Sequence, residues 1–311
     1  MAKILTVTLN PAIDVTLQLD NLQVGEVNRH HAVETHAAGK GLNVAQVLKD
    51  LGHDVIVTGF LGADNRQIFD AHFAQEGFEN QFVYVAGETR QNIKIAEASG
   101  RMTDINGKGV QIDALAKQQL FDKIQSVLAE IEIVVIAGSL PPGFDANELK
   151  QLIEWLNQQG KKVAVDTSGQ ALSAAIAANP WLIKPNGDEL TETYHLPAST
   201  YTEQQQLFQS MDHMQIEHIL VSMGEGGVNW LHPTHPLHAQ APRVQVKSTV
   251  GAGDSLVAGM IHGLLSDSSA EDILKTATAI ASHAVTQIGF QVPDLSVIEN
   301  LKQQIAINSL S

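Results

Sequence analysis

Thr249-Val250-Gly251-Ala252-Gly253-Asp254-Ser255 is the stretch from which the rest of the chain is read. Its glycines let backbone N–H groups approach an anion closely, and the apolar periodicity that follows marks a helix whose positive end faces the same anion. Asp254, in the first turn, is placed to accept a hydroxyl proton while the Gly251, Ala252 and Gly253 amides stabilise charge on a transferring phosphoryl group. Alone, Gly-x-Gly-Asp reads equally well as a helix cap with an acidic first turn, so its meaning depends on the rest of the chain.

Upstream, β-branched runs at Ile4–Leu9, Val55–Phe60, Ile133–Ala137, Lys162–Val165, Trp181–Ile183 and His218–Ser222 alternate with amphipathic stretches. That alternation predicts an α/β fold with a mostly parallel sheet covered by helices. Two segments, about 16–35 and 81–106, instead alternate polar and β-branched residues with Gly87, Gly100 and Gly107 as punctuation, and are expected to form one small β-subdomain within a single 1–311 domain. Beyond residue 250 three helices are expected, Gly253–Leu265, Ala270–Gln287 and Leu295–Ala306.

Composition narrows the function classes. Among 311 residues, 19 Lys and Arg stand against 34 Asp and Glu, a formal charge of −15, which argues against a nucleic-acid binder, since phosphate neutralisation needs a basic face. Anionic substrates must therefore be held by locally concentrated cations. No cysteine is present, which removes disulfides, thiolate catalysis and cysteine-ligated metals. The first residues read as a strand without an export signal, and the apolar run around Ile131–Ala137 is too short to span a bilayer, so a cytoplasmic protein without membrane partners is expected.

Four further motifs carry candidate chemistry. Ala37-Ala38-Gly39-Lys40-Gly41-Leu42-Asn43 is a glycine-rich loop entering an amphipathic helix, with Lys40 and Asn43 aimed at one end; it suits a sugar or phosphate, or is a plain strand-to-helix turn. It is neither a Walker A loop nor a dinucleotide fingerprint, since Gly41 follows the lysine and the third glycine is missing. Lys184-Pro185-Asn186-Gly187-Asp188-Glu189 follows a strand, where Asn186 and Glu189 suit a hydrated Mg²⁺ or else cap a helix. Ser222-Met223-Gly224-Glu225-Gly226-Gly227 ends a strand as a nucleotide loop or a tight hairpin. In Asn10-Pro11-Ala12-Ile13-Asp14, Asp14 could meet sugar hydroxyls or lie in a surface turn. Arg29, Arg90 and Lys94 in the β-subdomain are the candidate phosphate anchors. His232-Pro233-Thr234-His235-Pro236-Leu237-His238 gathers three histidines, but its prolines oppose a helix and no acid stands nearby in sequence, so it reads as a loop.

Taken in order, Gly39-Lys40-Gly41, Lys184-Pro185-Asn186-x-x-Glu189, Ser222-x-Gly224-x-x-Gly227 and Thr249–Asp254 make essentially the whole chain resemble the ribokinase/PfkB family of sugar kinases. Gly25-Glu26-Val27-Asn28-Arg29, His36–Gly41 and Gly138-Ser139-Leu140-Pro141-Pro142-Gly143 are most similar to the members that act on fructose 1-phosphate, close to those acting on tagatose 6-phosphate. The resemblance implies a ribokinase-like, doubly wound, mostly parallel sheet with a small β-sheet lid that pairs with its twin in a homodimer. It implies ATP and Mg²⁺, and conversion of fructose 1-phosphate to fructose 1,6-bisphosphate.

Residue by residue, the resemblance makes Asp254 the base, Gly251–Gly253 the anion hole, and Asn186 with Glu189 the Mg²⁺ residues. Lys184, Asn186, Ser222, Gly224, Glu225, Gly226, Gly227 and Thr249 fall to the nucleotide. Asp14, Gly39, Lys40, Asn43, Arg90 and Ser139, with Arg29 and Lys94 less directly, fall to the sugar phosphate. Ala38 stands where many relatives have glycine, which puts a backbone contact needing a glycine conformation there in question. Alternatives are a tagatose-6-phosphate kinase, a 6-phosphofructokinase or a non-catalytic sugar-phosphate sensor on the same fold; a nicotinamide-dependent dehydrogenase is disfavoured by the missing Gly-x-Gly-x-x-Gly.

Overall fold

Strands whose residues are apolar on both sides must be covered on both faces. In the computed structural model, which describes residues 2–211, 215–287, 291–292 and 294–310, β1 (Lys3–Thr8) lies inside an eleven-stranded sheet. The chain leaves β1 for β2 (Ala12–Leu19) and β3 (Ala32–Ala38), then returns through α1 (Lys40–Asp50) to β4 (Asp54–Gly62), parallel to β1. α2 (Gln67–Glu76) leads to the short strands β5 (Glu79–Asn80) and β6 (Val83–Val85), both against β4, and then to β7 (Gln91–Glu97) and β8 (Met102–Asn106).

From there the chain crosses to the other side of β1. Through α3 (Ala114–Val127) it reaches β9 (Ile133–Ala137), and through α4 (Ala146–Gln158) it reaches β10 (Lys162–Asp166). α5 (Gly169–Ala177) precedes β11 (Leu182–Ile183), and α6 (Gly187–Tyr194) with α7 (Tyr201–Gln209) precedes β12 (His218–Ser222), each strand parallel to its neighbour. β13 (Val228–Leu231) and β14 (Leu237–Ala239) run antiparallel. After α8 (Ala252–Leu264), α9 (Ala270–Ala284) and α10 (Leu295–Lys302), β15 (Ile307–Ser309) closes that edge. The order β15-β14-β13-β12-β11-β10-β9-β1-β4-β5 reverses between β1 and β9, and open α/β sheets bind ligands at the carboxyl side of such a switch. The parallel, helix-covered sheet expected from the alternation is present.

The period of two along each strand sorts the core into two layers. Ile4, Val57, Ile133, Val135, Leu182 and Leu220 pack with α1, α2, α8, α9 and α10, while Leu5, Val7, Ile56, Val134, Val163 and Ile219 pack with α3 to α7. α8 sits deepest on its side because it carries no bulk where it meets α9. A Cβ at Gly259 would stand 2.8 Å from Ala277 Cα, and one at Gly263 2.7 Å from Ile273 Cγ2. Gly259→Val is therefore expected to cost about 1–3 kcal/mol through overpacking, read as a lower urea midpoint at unchanged slope. An unchanged midpoint would show that α9 yields at no cost.

A second sheet of four strands, ordered β3-β2-β7-β8, rises from the ends of β1 and β4. It is wider than the sequence suggested at one end and narrower at the other. β2 already begins at Ala12, since Ala12 pairs with Ala38, whereas Val83–Val85 joins β4 in the main sheet, with Phe82 and Val83 buried in the core. The last two helices also stop early. α9 ends at Ala284, where the Thr286 hydroxyl and N–H both turn back to the His283 carbonyl, and α10 ends at Lys302 because Ile307–Ser309 is drawn into pairing with β14. No helix among the described residues is long and apolar enough to cross a membrane.

Candidate active site

The carboxyl ends of β1, β9, β10 and β11 meet the first turns of α1 and α8. Gly251 caps α8 in a left-handed conformation with φ 82°, so the chain turns sharply into the helix and the first-turn N–H groups are left without intrahelical partners. Asp254 follows in that turn, 4% exposed, and its Oδ2 accepts a 2.7 Å hydrogen bond from Asn43 Nδ2 in α1. Ala38 needs no glycine conformation, since it lies in regular pairing with Ala12 and is absent from the positive-φ residues; Gly39, at φ 155°, takes that burden next to Thr8.

One residue not singled out from sequence organises the site. Asp166, the last residue of β10, is buried between two lysines, with Lys40 Nζ 3.2 Å from Oδ2 and Lys184 Nζ 3.3 Å from Oδ1. Lys184 in turn lies against α8, for a Cβ on Gly253 would stand 3.2 Å from its Nζ. The ends of β9 and β10 are tied across the crevice by Gly138 N–H to the Asp166 carbonyl at 2.9 Å and by Thr167 Oγ1 to the Gly138 carbonyl at 2.9 Å. The position of Asp166 at a strand's carboxyl end was the available signal.

The charges tune one another. Burial alone would lift the Asp166 carboxyl, but Lys184 and Lys40 beside it outweigh that and hold it below its usual value. Burial would likewise lower Lys40, yet Asp166, Asp254 and Glu189 keep its ammonium more strongly protonated than an ordinary lysine. Asp254 goes the other way: burial first, then the neighbouring Asp166 charge, push it up to about 6 against the help of Lys40 and Asn43. A carboxylate of that pKa is a competent base near neutral pH.

The remaining candidates fall into three groups. Asn186 caps α6 reciprocally with Glu189: Asn186 Oδ1 accepts from Glu189 N–H at 2.7 Å and Glu189 Oε2 from Asn186 N–H at 2.8 Å. The rival capping reading is thus realised, while Glu189 Oε1 takes no hydrogen bond among the described residues. Ser222 bridges to Asn186, and Gly224–Gly226 turns β12 back into β13, so the hairpin reading is also realised, with Gly227 at φ 93° and the Glu225 carbonyl held by Gln240. Thr249 closes the turn before α8 through its carbonyl to Ala252 N–H at 3.4 Å.

On the sugar side, Asp14 lies within β2 rather than in a surface turn, held by Lys94 Nζ at 2.6 Å and Asn92 at 3.1 Å. Arg90 donates to the Asn10 carbonyl at 2.9 Å and the Gly107 carbonyl at 3.0 Å, and its Nη2 stands 3.4 Å from Ser139 Oγ, which Asn10 Nδ2 also reaches at 3.1 Å. Most of its donors are spent on backbone, a commitment the sequence did not reveal. Arg29 is exposed in the loop after β2 and joins none of the ion pairs found among the described residues.

Comparison with known proteins bears on this arrangement. The 1-phosphofructokinase of Vibrio cholerae is 43% identical over 308 residues, 99% of this chain and 97% of that protein. The 1-phosphofructokinase of Haemophilus influenzae is 39% identical over 311 residues, 100% of this chain and 99% of that protein. The structure of phosphofructokinase-2 from Escherichia coli in complex with fructose-6-phosphate superposes with a TM-score of 0.87 at 28% identity, covering 97% of this chain and 99% of that one. Residues 5–296 match the description "pfkB family carbohydrate kinase". With a ribokinase-like doubly wound sheet and a glycine-led helix at its switch point, the chain belongs to the pfkB family of carbohydrate kinases.

Proposed function

We propose that this carbohydrate kinase transfers the γ-phosphoryl group of ATP to the free primary hydroxyl of fructose 1-phosphate, giving fructose 1,6-bisphosphate and ADP. The observation that carries the chemistry is Asp254, buried in the first turn of α8, hydrogen-bonded by Asn43 and raised to about 6. The names of the two relatives above support the substrate. As the sugar oxygen bonds to the γ-phosphorus and the bridge to ADP breaks, the hydroxyl proton passes to the Asp254 carboxylate. The Gly251–Gly253 amides and the Lys184 ammonium face the charge on the transferring group, and positioning does most of the rest.

Mg²⁺ would neutralise charge on the phosphate chain. The donor set fits it in part: Glu189 Oε1 is available, whereas Asn186 Oδ1 is committed to the cap and so serves to hold Glu189 in place. Lys184, Asn186, Ser222, Gly224, Glu225, Gly226, Gly227 and Thr249 fall to the nucleotide, and Asp14, Gly39, Lys40, Asn43, Arg90, Lys94 and Ser139 to the sugar phosphate, with Arg29, exposed in its loop, assigned there less directly. The small sheet, taken as a lid over the crevice, pairs with a second copy, in keeping with the exposed Val33, Met102 and Ile105 on its strands. A coupled ADP-release assay with fructose 1-phosphate, fructose 6-phosphate and tagatose 6-phosphate tests the substrate: a higher kcat/KM for either 6-phosphate would overturn it, and no release with any would leave the sensor reading.

Arg90→Ala is expected to raise KM for fructose 1-phosphate roughly tenfold or more, as for loss of one charge-assisted contact, with KM for ATP within about twofold. Equal effects on both substrates together with a lower Tm would assign Arg90 to bracing the Asn10 and Gly107 backbone instead.

A further inference from the structure

The amino end of β12 lies at the opposite end of the strand from Ser222 and the nucleotide hairpin. There the antiparallel register that sets Ile219 against Leu231 brings His218 alongside His232, and Glu217 precedes His218. Glu217, His218 and His232 each offer a ligand atom within 4.8 Å of the other two, the only such group of three or more among the described residues. The acid missing from the sequence around His232 is thus supplied by strand pairing.

Two observations bear on which ring nitrogens are free to bind. His218 is 4% exposed, and its Nδ1 is buried without a hydrogen-bond partner among the described residues, while its Nε2 has only Glu217 Oε1, at 3.5 Å. Nε2, the nitrogen nearer Glu217, makes no close hydrogen bond and so keeps its lone pair for a cation. Second, Thr234 Oγ1 stands 3.1 Å from His232 Nδ1 and can accept its proton, which frees Nε2; outer-shell partners orient ligating histidines in this way. The longer contact from Thr234 N–H, at 3.3 Å, is given up in that tautomer.

We propose that Glu217, His218 and His232 form a transition-metal site of the zinc class, which staples β12 to β13 away from the catalytic crevice. Two imidazoles and one carboxylate with an open fourth position match zinc and disfavour magnesium, which prefers oxygen alone. Bonds of 2.0–2.1 Å set ligand atoms about 3.3 Å apart, so the site must tighten by about 1.5 Å, a movement that exposed Glu217 and half-buried His232 can make. His235, stacked on His232 at 4.8 Å, is in reach as a further donor. Lys162, 5.1 Å over the Trp181 ring that abuts His218, opposes a cation, and the Glu217 carboxylate offsets it.

The test is calorimetric titration of ZnCl₂ into the untagged full chain in millimolar Mg²⁺, with Co²⁺ absorption as the second readout. One Zn²⁺ per chain at micromolar affinity or tighter is expected, weakened at least tenfold in His232→Ala and several-fold in Glu217→Gln, with Co²⁺ giving intense tetrahedral bands lost in the same variants. Kinase activity without added zinc should be unchanged in both, which shows that they fold. Absence of binding, or zinc bound equally well by His232→Ala, overturns the site.

Discussion

Asp254→Asn should fold, bind ATP and lose turnover by roughly a hundredfold or more, as removal of a general base does. The amide keeps the shape of the carboxyl and can still accept from Asn43, so the loss isolates proton acceptance rather than packing. The native enzyme should show kcat falling on the acid side as Asp254 is protonated near pH 6. The same residue has an opposite effect on stability. Its folded pKa lies above the unfolded value, so it costs nothing below about pH 4, and the cost grows as pH rises from 3.8 through about 6. Asp254→Asn is therefore expected to raise Tm at pH 7.5 and to leave it nearly unchanged at pH 4. Near-normal turnover in the variant would end the assignment of Asp254 as base.

Asp166→Ala is expected to have the largest effect on stability, about 3–5 kcal/mol, because it removes one partner from a buried ion cluster and leaves Lys184 unpaired with a side chain only 5% exposed. Activity should fall with it, since Lys40 and Lys184 lose the carboxylate that fixes both. Two further variants separate these effects. Asp166→Leu combined with Lys184→Met should recover much of the stability but none of the turnover. Asp166→Asn should move the acid limb of kcat to lower pH, because the charge that helps raise Asp254 is gone and two freed ammonium groups act in the same direction. A limb that stayed in place would show that the Asp166 charge does not help to set the Asp254 pKa. A stability loss under about 1 kcal/mol in Asp166→Ala would show that water replaces the carboxylate.

What could be read in the sequence followed from local physics. Runs such as Ile133–Ala137 are apolar at every position because both faces are covered, and the motifs at Ser139, Lys184 and Ser222 declare themselves by standing at the carboxyl ends of those runs. Asp166 stands at such an end too, yet as a single acid after a strand it looks like punctuation; its meaning comes from Lys40 and Lys184, both remote in sequence. For Asn186 and Glu189 the spacing itself encodes the cap, and no sequence rule says whether a free carboxylate oxygen remains. Arg90 has the side chain of a phosphate anchor, but whether its donors are already committed depends on where the Asn10 and Gly107 carbonyls come to rest. The small sheet's limits were misjudged for a similar reason: Asn10-Pro11 looks like a break, and only the pairing of Ala12 with Ala38 shows that the next strand starts at once.

The glycine seam between α8 and α9 sets how the amides of the catalytic helix should exchange with deuterium. With Gly259 and Gly263 pressed against Ala277 and Ile273, the distal half of α8 can open only when the core does, so its amides should exchange at the slowest, global rate. The first-turn amides beside Gly251 have no such lock and should exchange quickly until a phosphate is bound. One helix would thus hold the slowest and some of the fastest protons in the molecule, and its protection profile would report ligand binding at one end and global unfolding at the other.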